Sequence, residues 1–516
     1  MTKTVQIFCA VAILLCFTVH CNSQRYSNPV IPGDFPDPSV IRVGADYYAA
    51  TTTGGWSPPF TLLHSTDLVN WKVIGSVLEH KPVWAKGDFW APEIINDNGK
   101  FRVYYSARRD DGKDKKGTLC VAVATAQTPS GPYTDNGPLV CQEMGSIDAA
   151  FIRDENDKPF LIWKEDGNDR QQPTWLYAQE LNSDGVKLIG KPKKLFRNTE
   201  SWEKHVIEGP YVLYKNGWFY MFYSGNACCG RTCDYALGVA RAKSLQGPWE
   251  KNPKNPILSP NQHWQCPGHG SIVSTEDGRS FLLYHAYRNK PTAFNIGREA
   301  LLDQVRFENG WATINSNHGP SSESEVPFNG SSQRSLDLND EFNSGINPFW
   351  NYTISERGEF RSENGFLLLR AASTPSEVVL AERTVSGDYT VSTRVLLNSP
   401  FPTTGYVGLA AYGWRQNAIG ISFGSGKIYT WRRDNIPQIQ LITLQLDAST
   451  PQSIILRMRV RDGESFRFAF STDDGKNWQQ IGEDVFKNDI EGARIALISS
   501  ATSPDAKFDW IHVRQD

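Results

Sequence analysis

Five short stretches in the N-terminal part of the chain look alike: "VGADYYAATT", "NGKFRVYYSA", "NDKPFLIWKE", "NGWFYMFYSG" and "DGRSFLLYHA". In each, a Gly/Asn/Asp turn leads into an aromatic and β-branched run, the second half of a β-hairpin. They recur about every 55–60 residues, the size of one propeller blade. Five occurrences therefore predict five blades arranged around one central channel.

The strands that precede these turns would be the innermost ones. They begin "DPSVIRV", "APEIIND", "DAAFIRD", "EGPYVLYK" and "HGSIVST", led by Asp37, Ala91, Asp148, Glu208 and His269. Equivalent positions on five inner strands converge at one channel mouth, so three carboxylates and a histidine, far apart in sequence, are expected to meet there. Asp37 lies between Pro36 and Pro38, which fix its entry into the strand. Asp34, one turn earlier, reads as a turn aspartate that caps its own backbone.

Composition sets the background. Strand formers, Gly and Pro dominate, as in an all-β protein. A net charge of -3 gives no reason to expect nucleic acid or an anionic membrane surface as partner. The chain is long enough for two domains. Its start has Lys3, an apolar run from Val5 to Val19 and small polar residues up to Ser23, the pattern of a secretory signal. A secreted or periplasmic protein follows. Lipid anchoring through Cys21 is disfavoured by His20 before it, and no later segment is apolar enough for a transmembrane span. Cys120, Cys141, Cys228, Cys229, Cys233 and Cys266 remain, an even set that suggests disulfides of unknown connectivity. A metal site in "NACCGRTCDYA" is the weaker reading, since no His lies at finger spacing.

The stretches "NPVIPGDFPDPSVIRVGADYY", "HSTDLVNW", "FWAPEIINDNGKF", "GSIDAAF", "EGPYVLYKNGWFYMFYS" and "GHGSIVS" resemble, in order from Asn28 to Trp311, glycoside hydrolase family 43. The resemblance implies a five-bladed propeller with inverting activity on arabinose- and xylose-containing glycans. It implies Asp37 of the DPS motif as general base, Glu208 of the EGP motif as general acid, and Asp148 as the residue that raises the acid's pKa and orients it. The chemistry agrees, because inversion needs one carboxylate to deprotonate water and one protonated carboxyl at the leaving oxygen. Arg298 in "NIGREALLDQV" resembles the family's substrate-binding arginine. His269 would orient substrate or ligate a metal through water, so no cofactor is required and a structural calcium is allowed. Trp90 and Phe35, beside the inner-strand starts, are expected as aromatic pocket walls for sugar C–H faces. Trp84 and Phe89 fit core packing equally well.

Residues 315–335 are polar and Ser/Gly/Pro-rich, a linker. Beyond it, short alternating strands such as "YTVSTRVLL", "NAIGISFGSGKIYTWRR" and "SIILRMRVRDGESFRFAFSTDDGKNW" predict a β-sandwich. "LNDEFNS" and "FDWIHV" resemble the lectin-like, concanavalin A-like jelly roll that follows family 43 propellers. The expected organisation is a signal peptide over 1–23, a propeller over 24–314, the linker over 315–335 and a jelly-roll sandwich over 336–516. The function implied is exo-acting release of α-L-arabinofuranosyl or β-D-xylosyl units. An endo-arabinanase-like hydrolase, an enzyme acting on fructans or galactans, and a non-catalytic glycan-binding protein stand as alternatives.

Overall fold

Each sequence repeat forms a four-stranded antiparallel meander. In the computed structural model the first blade is built from Ser39–Val43, Asp46–Thr51, Thr61–Ser65 and Lys72–Ser76, and four further four-stranded sheets follow in chain order. Their innermost strands are Ala85–Asp97, Ser146–Arg153, Ile207–Lys215 and Trp264–Ser274. The structure describes residues 24–516 except 111–117, 169–171, 291–292, 329–332, 334–337, 355–357, 374–375, 398–404, 414, 435–437, 447–450 and 503–504. The expected signal segment, Cys21 and parts of the expected linker lie outside the described residues.

Apolar faces of neighbouring blades supply the core. Blades one and two share Phe60, Leu62, Phe89, Val103 and Tyr105, all nearly or fully buried. Blades four and five share Phe222, Val239, Leu282 and Tyr284. The ring is closed by the chain's own start. Asn28 Nδ2 donates to Leu302 O at 3.0 Å, the Leu302 N–H donates back to Asn28 Oδ1 at 2.9 Å, and Arg25–Ser27 pairs with Glu323–Glu325. The stretch read as a linker is thus docked along its first half, with Val326 buried in the blade one and five core.

The C-terminal strands form two eight-stranded sheets over one apolar core that includes Leu367, Val391, Leu409, Ile421, Leu456, Phe468, Leu497 and Phe508, the arrangement of a β-sandwich. One of these sheets ends on a strand lent by blade one. Trp56–Ser57 pairs with Asn351–Thr353, in the register Tyr352↔Ser57 and Thr353↔Trp56. The Trp56 ring is 2% exposed, lies edge-on to Tyr412 and carries the Arg494 guanidinium 4.5 Å from its centroid. Among the described residues no helix is long and apolar enough to cross a membrane.

Truncating this shared strand's anchor tests how firmly the two units are joined. Trp56→Ala should destabilise the protein by about 3–5 kcal/mol, the usual cost of emptying a buried tryptophan site. The check is the shift in urea midpoint. A loss below about 1 kcal/mol would mean that the strand rests on the sandwich without holding it.

Candidate active site

Every inner strand enters the channel through a residue with left-handed backbone: Asp37 (φ 52°), Ala91 (47°), Asp148 (55°), Gly209 (56°) and His269 (41°). The expected equivalence of Glu208 with Asp37 and Asp148 is therefore off by one. The equivalent residue in blade four is Gly209, and Glu208 shares its register position with Trp90, Ile147 and Gly268. Those residues pair with Ser106, Lys164 and His285, and Glu208 pairs with Ser224. The other four blades impose this φ on larger residues, but here a Cβ would meet the His269 ring at 2.7 Å, which calls for glycine.

Left-handed backbone costs a non-glycine residue about 1–2 kcal/mol, so something must hold it. The holding group is a side chain on the second strand of the preceding blade. The N–H of Asp37 donates to His285 Nδ1 (3.1 Å), that of Ala91 to Thr52 Oγ1 (2.7 Å), that of Asp148 to Ser106 Oγ (3.0 Å) and that of His269 to Ser224 Oγ (2.9 Å). In blade three the equivalent residue is Lys164, which has no acceptor. The Gly209 N–H donates instead to Asp148 Oδ2 at 2.9 Å.

Asp37 sits in a cationic setting. Arg298 Nη1 donates to its Oδ1 at 3.2 Å, His269 Nδ1 and His285 Nδ1 lie 3.4 and 3.1 Å from the same oxygen, and Thr52 Oγ1 donates to Oδ2 at 2.8 Å. Burial alone would push its carboxyl up. Arg298 and then His269 outweigh burial and, with the Thr52 hydroxyl, hold it well below the usual carboxylate range. Burial keeps His285 neutral, down to about 4.

The other two acids have the opposite character. Asp148 is pushed up to about 6, first by burial and then by the charge of Glu208, against the pull of His269 and Lys164. At Glu208 burial is outweighed by Lys164, whose Nζ donates to Oε2 at 2.8 Å, and the carboxyl is lowered. Asn168 Nδ2 donates to the same oxygen at 3.3 Å and Tyr235 OH to Oε1 at 3.0 Å. The expectation that Glu208 itself is raised therefore fails for the empty site. A buried ammonium in contact with it moves the pair's higher affinity for a proton onto Asp148.

The remaining sequence candidates divide. Arg298 meets the acid cluster, and Trp90 is partly exposed at the register position of Glu208. Phe35 does not line the channel as expected. It is 3% exposed in the core of blades one and five, with the sandwich's Arg383 guanidinium 4.3 Å above its ring. Asp34 does not cap its own turn through its carboxylate. Its Oδ1 accepts the Arg298 N–H at 3.1 Å, and the carboxyl is enclosed by Gly297 and Gly492. Trp84 and Phe89 pack between blades. Lys164, Tyr235, His285, Thr52 and Asn168 were missed. Lys164 alone had a signal, a cation in the run "FLIWKE" where the other repeats put Ser, Thr or His.

The cysteines pair as Cys120–Cys141, Cys228–Cys229 and Cys233–Cys266. The last ties the loop that leads into Tyr235 to the inner strand of blade five, just before His269. Calcium takes six to eight oxygen ligands. Here the carboxylate oxygens are already committed to Arg298, Thr52, Gly209 and Lys164. Among the described residues no group of three or more His, Cys, Asp or Glu side chains is placed to hold a metal. The reading of His269 as a ligand through water is a separate matter, and the chemistry below uses no ion.

Five blades with three acids at one channel mouth define the class of propeller, and the comparisons with known proteins give its family. The model of glycosyl hydrolases family 43 matches residues 26–312, and the chain belongs to that family. It is 32% identical over 320 residues to xylosidase/arabinosidase 43B of Humicola insolens, covering 58% of this chain and 57% of that one. It is 30% identical over 325 residues to xylan 1,3-beta-xylosidase of a Vibrio species, covering 58% and 59%. The match thus spans little more than half the length of these relatives. The solved structure of xylan beta-1,4-xylosidase from Bacillus halodurans C-125 superposes with a TM-score of 0.80 over 95% of this chain and 100% of that one, at 22% identity, which shows the shared fold.

Arg298 gives a direct test of the electrostatics. A carboxyl lowered by folding contributes stability that is full above the ordinary aspartate range and is lost as pH falls toward its own value. Arg298→Met should move the titration of the Asp37 carboxyl, followed by carbon NMR, upward by about 1–3 pH units. An unmoved titration would mean that His269 and Thr52 hold the charge without the arginine.

Proposed function

We propose that the protein is an exported, inverting, exo-acting glycosidase that releases α-L-arabinofuranosyl or β-D-xylosyl units from plant-type polysaccharides or oligosaccharides. The observation that carries this reading is the pairing of opposites at one channel mouth. Asp37 is held ionised by Arg298 and His269, while Asp148 and Glu208 share a site in which a proton is retained up to about pH 6. His269 stands between the two sets, 3.4 Å from Asp37 and close enough to Asp148 and Glu208 to lower both.

In the proposed reaction Asp37 takes a proton from water. The water oxygen bonds to the anomeric carbon from the face opposite the leaving group. The glycosidic C–O bond breaks, and its oxygen takes the proton of Glu208. Asp148 supplies that proton's reserve and positions the acid, since its Oδ2 grips the Gly209 N–H next to Glu208. Arg298 and His269 border the sugar, and Trp90 offers a ring for its C–H face. Rim contacts support the exo reading. The sandwich turns at Gly463 and Ile490 hydrogen-bond Asn295, and Glu491 accepts from Tyr287 OH at 3.4 Å, which puts a second wall beside Arg298. Similarity to a xylosidase/arabinosidase and to a xylan 1,3-beta-xylosidase supports a pentose substrate. Export is supported by the Lys3 and Val5–Val19 pattern.

The test is product release from paired aryl α-L-arabinofuranoside and β-D-xylopyranoside, with the anomer of the fresh product read by NMR. Asp37→Ala should lower turnover about 10²–10⁴-fold on whichever substrate is used, and the first-formed anomer should be inverted. Glu208→Gln with normal turnover on a disaccharide would sink the mechanism. Tight sugar binding by calorimetry with no product would favour the binding-protein alternative. Internal cuts in debranched arabinan would favour the endo one.

A further inference from the structure

Lys164 is the one member of its ring that breaks the rule of the fold. Thr52, Ser106, Ser224 and His285 each accept the amide of the next blade's left-handed residue. Lys164 cannot accept, its side chain is fully buried, and a buried ammonium is costly unless paired. A serine there would satisfy Gly209 as Ser106 satisfies Asp148. The lysine instead reaches across to the carboxylate proposed as the acid.

Resting on that reading of Glu208, we propose that Lys164 is a positioning residue that controls the acid: paired to Glu208 Oε2 in the empty channel, it has to release this oxygen to the substrate, and its charge sets the upper pH at which the site works. The alternative partners for its ammonium are in place. Nζ donates to Asn168 Oδ1 at 2.7 Å and lies 3.7 Å from Asp166 Oδ1, so a small movement of the side chain exchanges one carboxylate for another.

The charged groups around the pair are few. Lys164 faces Glu208, Asp166 and Asp148, while Glu208 faces Lys164, His269, Asp148 and the hydroxyl of Tyr235. The sign follows from these. Glu208 must be protonated to act, so activity is lost as pH rises through the pair's value. A cation at 2.8 Å pulls that limb down, and removing the cation moves it up.

The experiment is the pH profile of kcat/KM on a disaccharide, whose poor leaving group needs the acid, beside an aryl glycoside with an activated leaving group, which needs it less. Lys164→Met should raise the alkaline limb on the disaccharide by about 1–3 pH units and leave the aryl limb much less affected. Lys164→Arg, which keeps the charge, should keep the wild-type limb. Should the methionine variant not fold, Lys164→Gln carries the test, since a neutral amide can keep a hydrogen bond to Asn168 while the charge is lost, and the limb should again rise. A folded Lys164→Met or Lys164→Gln enzyme with an unmoved limb overturns the proposal and leaves the acid assignment standing. If Glu208→Gln turns over the disaccharide as the wild type does, the acid assignment itself falls.

Discussion

Each inner strand of this propeller depends on one hydrogen bond, from a left-handed amide to a side chain of the preceding blade. The left-handed residue belongs to a one-residue bulge at the strand's start, which turns its side chain toward the channel mouth and not between blades. It is conformationally expensive for Asp37, Ala91, Asp148 and His269, and the cost is tolerated because the acceptor on the neighbouring blade leaves the amide nowhere else to go. Holding the blades in register and aiming the acids are thus one and the same device. A change at Ser106 or Ser224, neither of which bears a charge, would act on Asp148 or His269 through their backbone.

The same economy joins the sandwich to the base. Asp37 accepts from Thr52, and a few residues later the chain reaches Trp56, an edge strand of the sandwich. Its arginine neighbour, Arg298, is held through its amide by Asp34, whose backbone oxygen in turn accepts from the sandwich's Arg383 at 2.6 Å. Two short paths, one on each side of Asp37, therefore end in the sandwich. Whatever glycan contacts that unit makes, its packing fixes the cradle of the proposed base.

The architecture was legible because a propeller repeats. The turn-plus-aromatic signature marks every blade, and the DPS-type strand starts lead to Asp37, Asp148 and His269, the left-handed residues of their strands. Glu208 was found through its motif, yet its register was misplaced by one, because "EGP" and "DPS" align by eye while the bulge residue is the glycine. Phe35 was misread for another reason. The partner that covers its ring, Arg383, is more than three hundred positions away in another fold unit. His285 and Tyr235 had no local signal at all. Tyr235 stands at the end of a loop and His285 in ordinary strand sequence, and only the closure of blade five on blade one brings the imidazole to Asp37.

The charges at the mouth explain why the site needs both cations. Three acids buried together would repel one another and take up protons, and all would then be poor bases. Arg298 neutralises one side of the group and Lys164 the other, but not symmetrically. Arg298 touches Asp37 directly and faces no other acid of the trio, so Asp37 stays ionised. Lys164 touches Glu208 and acts on Asp148 only from a distance, so a proton entering the site settles on Asp148, next to the Gly209 amide. The resulting gradient runs across the channel from an ionised Asp37, the proposed base, to the proton-holding pair of Asp148 and Glu208, the proposed acid side, with His269 between them. Burial alone would raise every carboxyl here. The difference between base and acid comes from which cation each one touches, and the order of blades around the ring decides that.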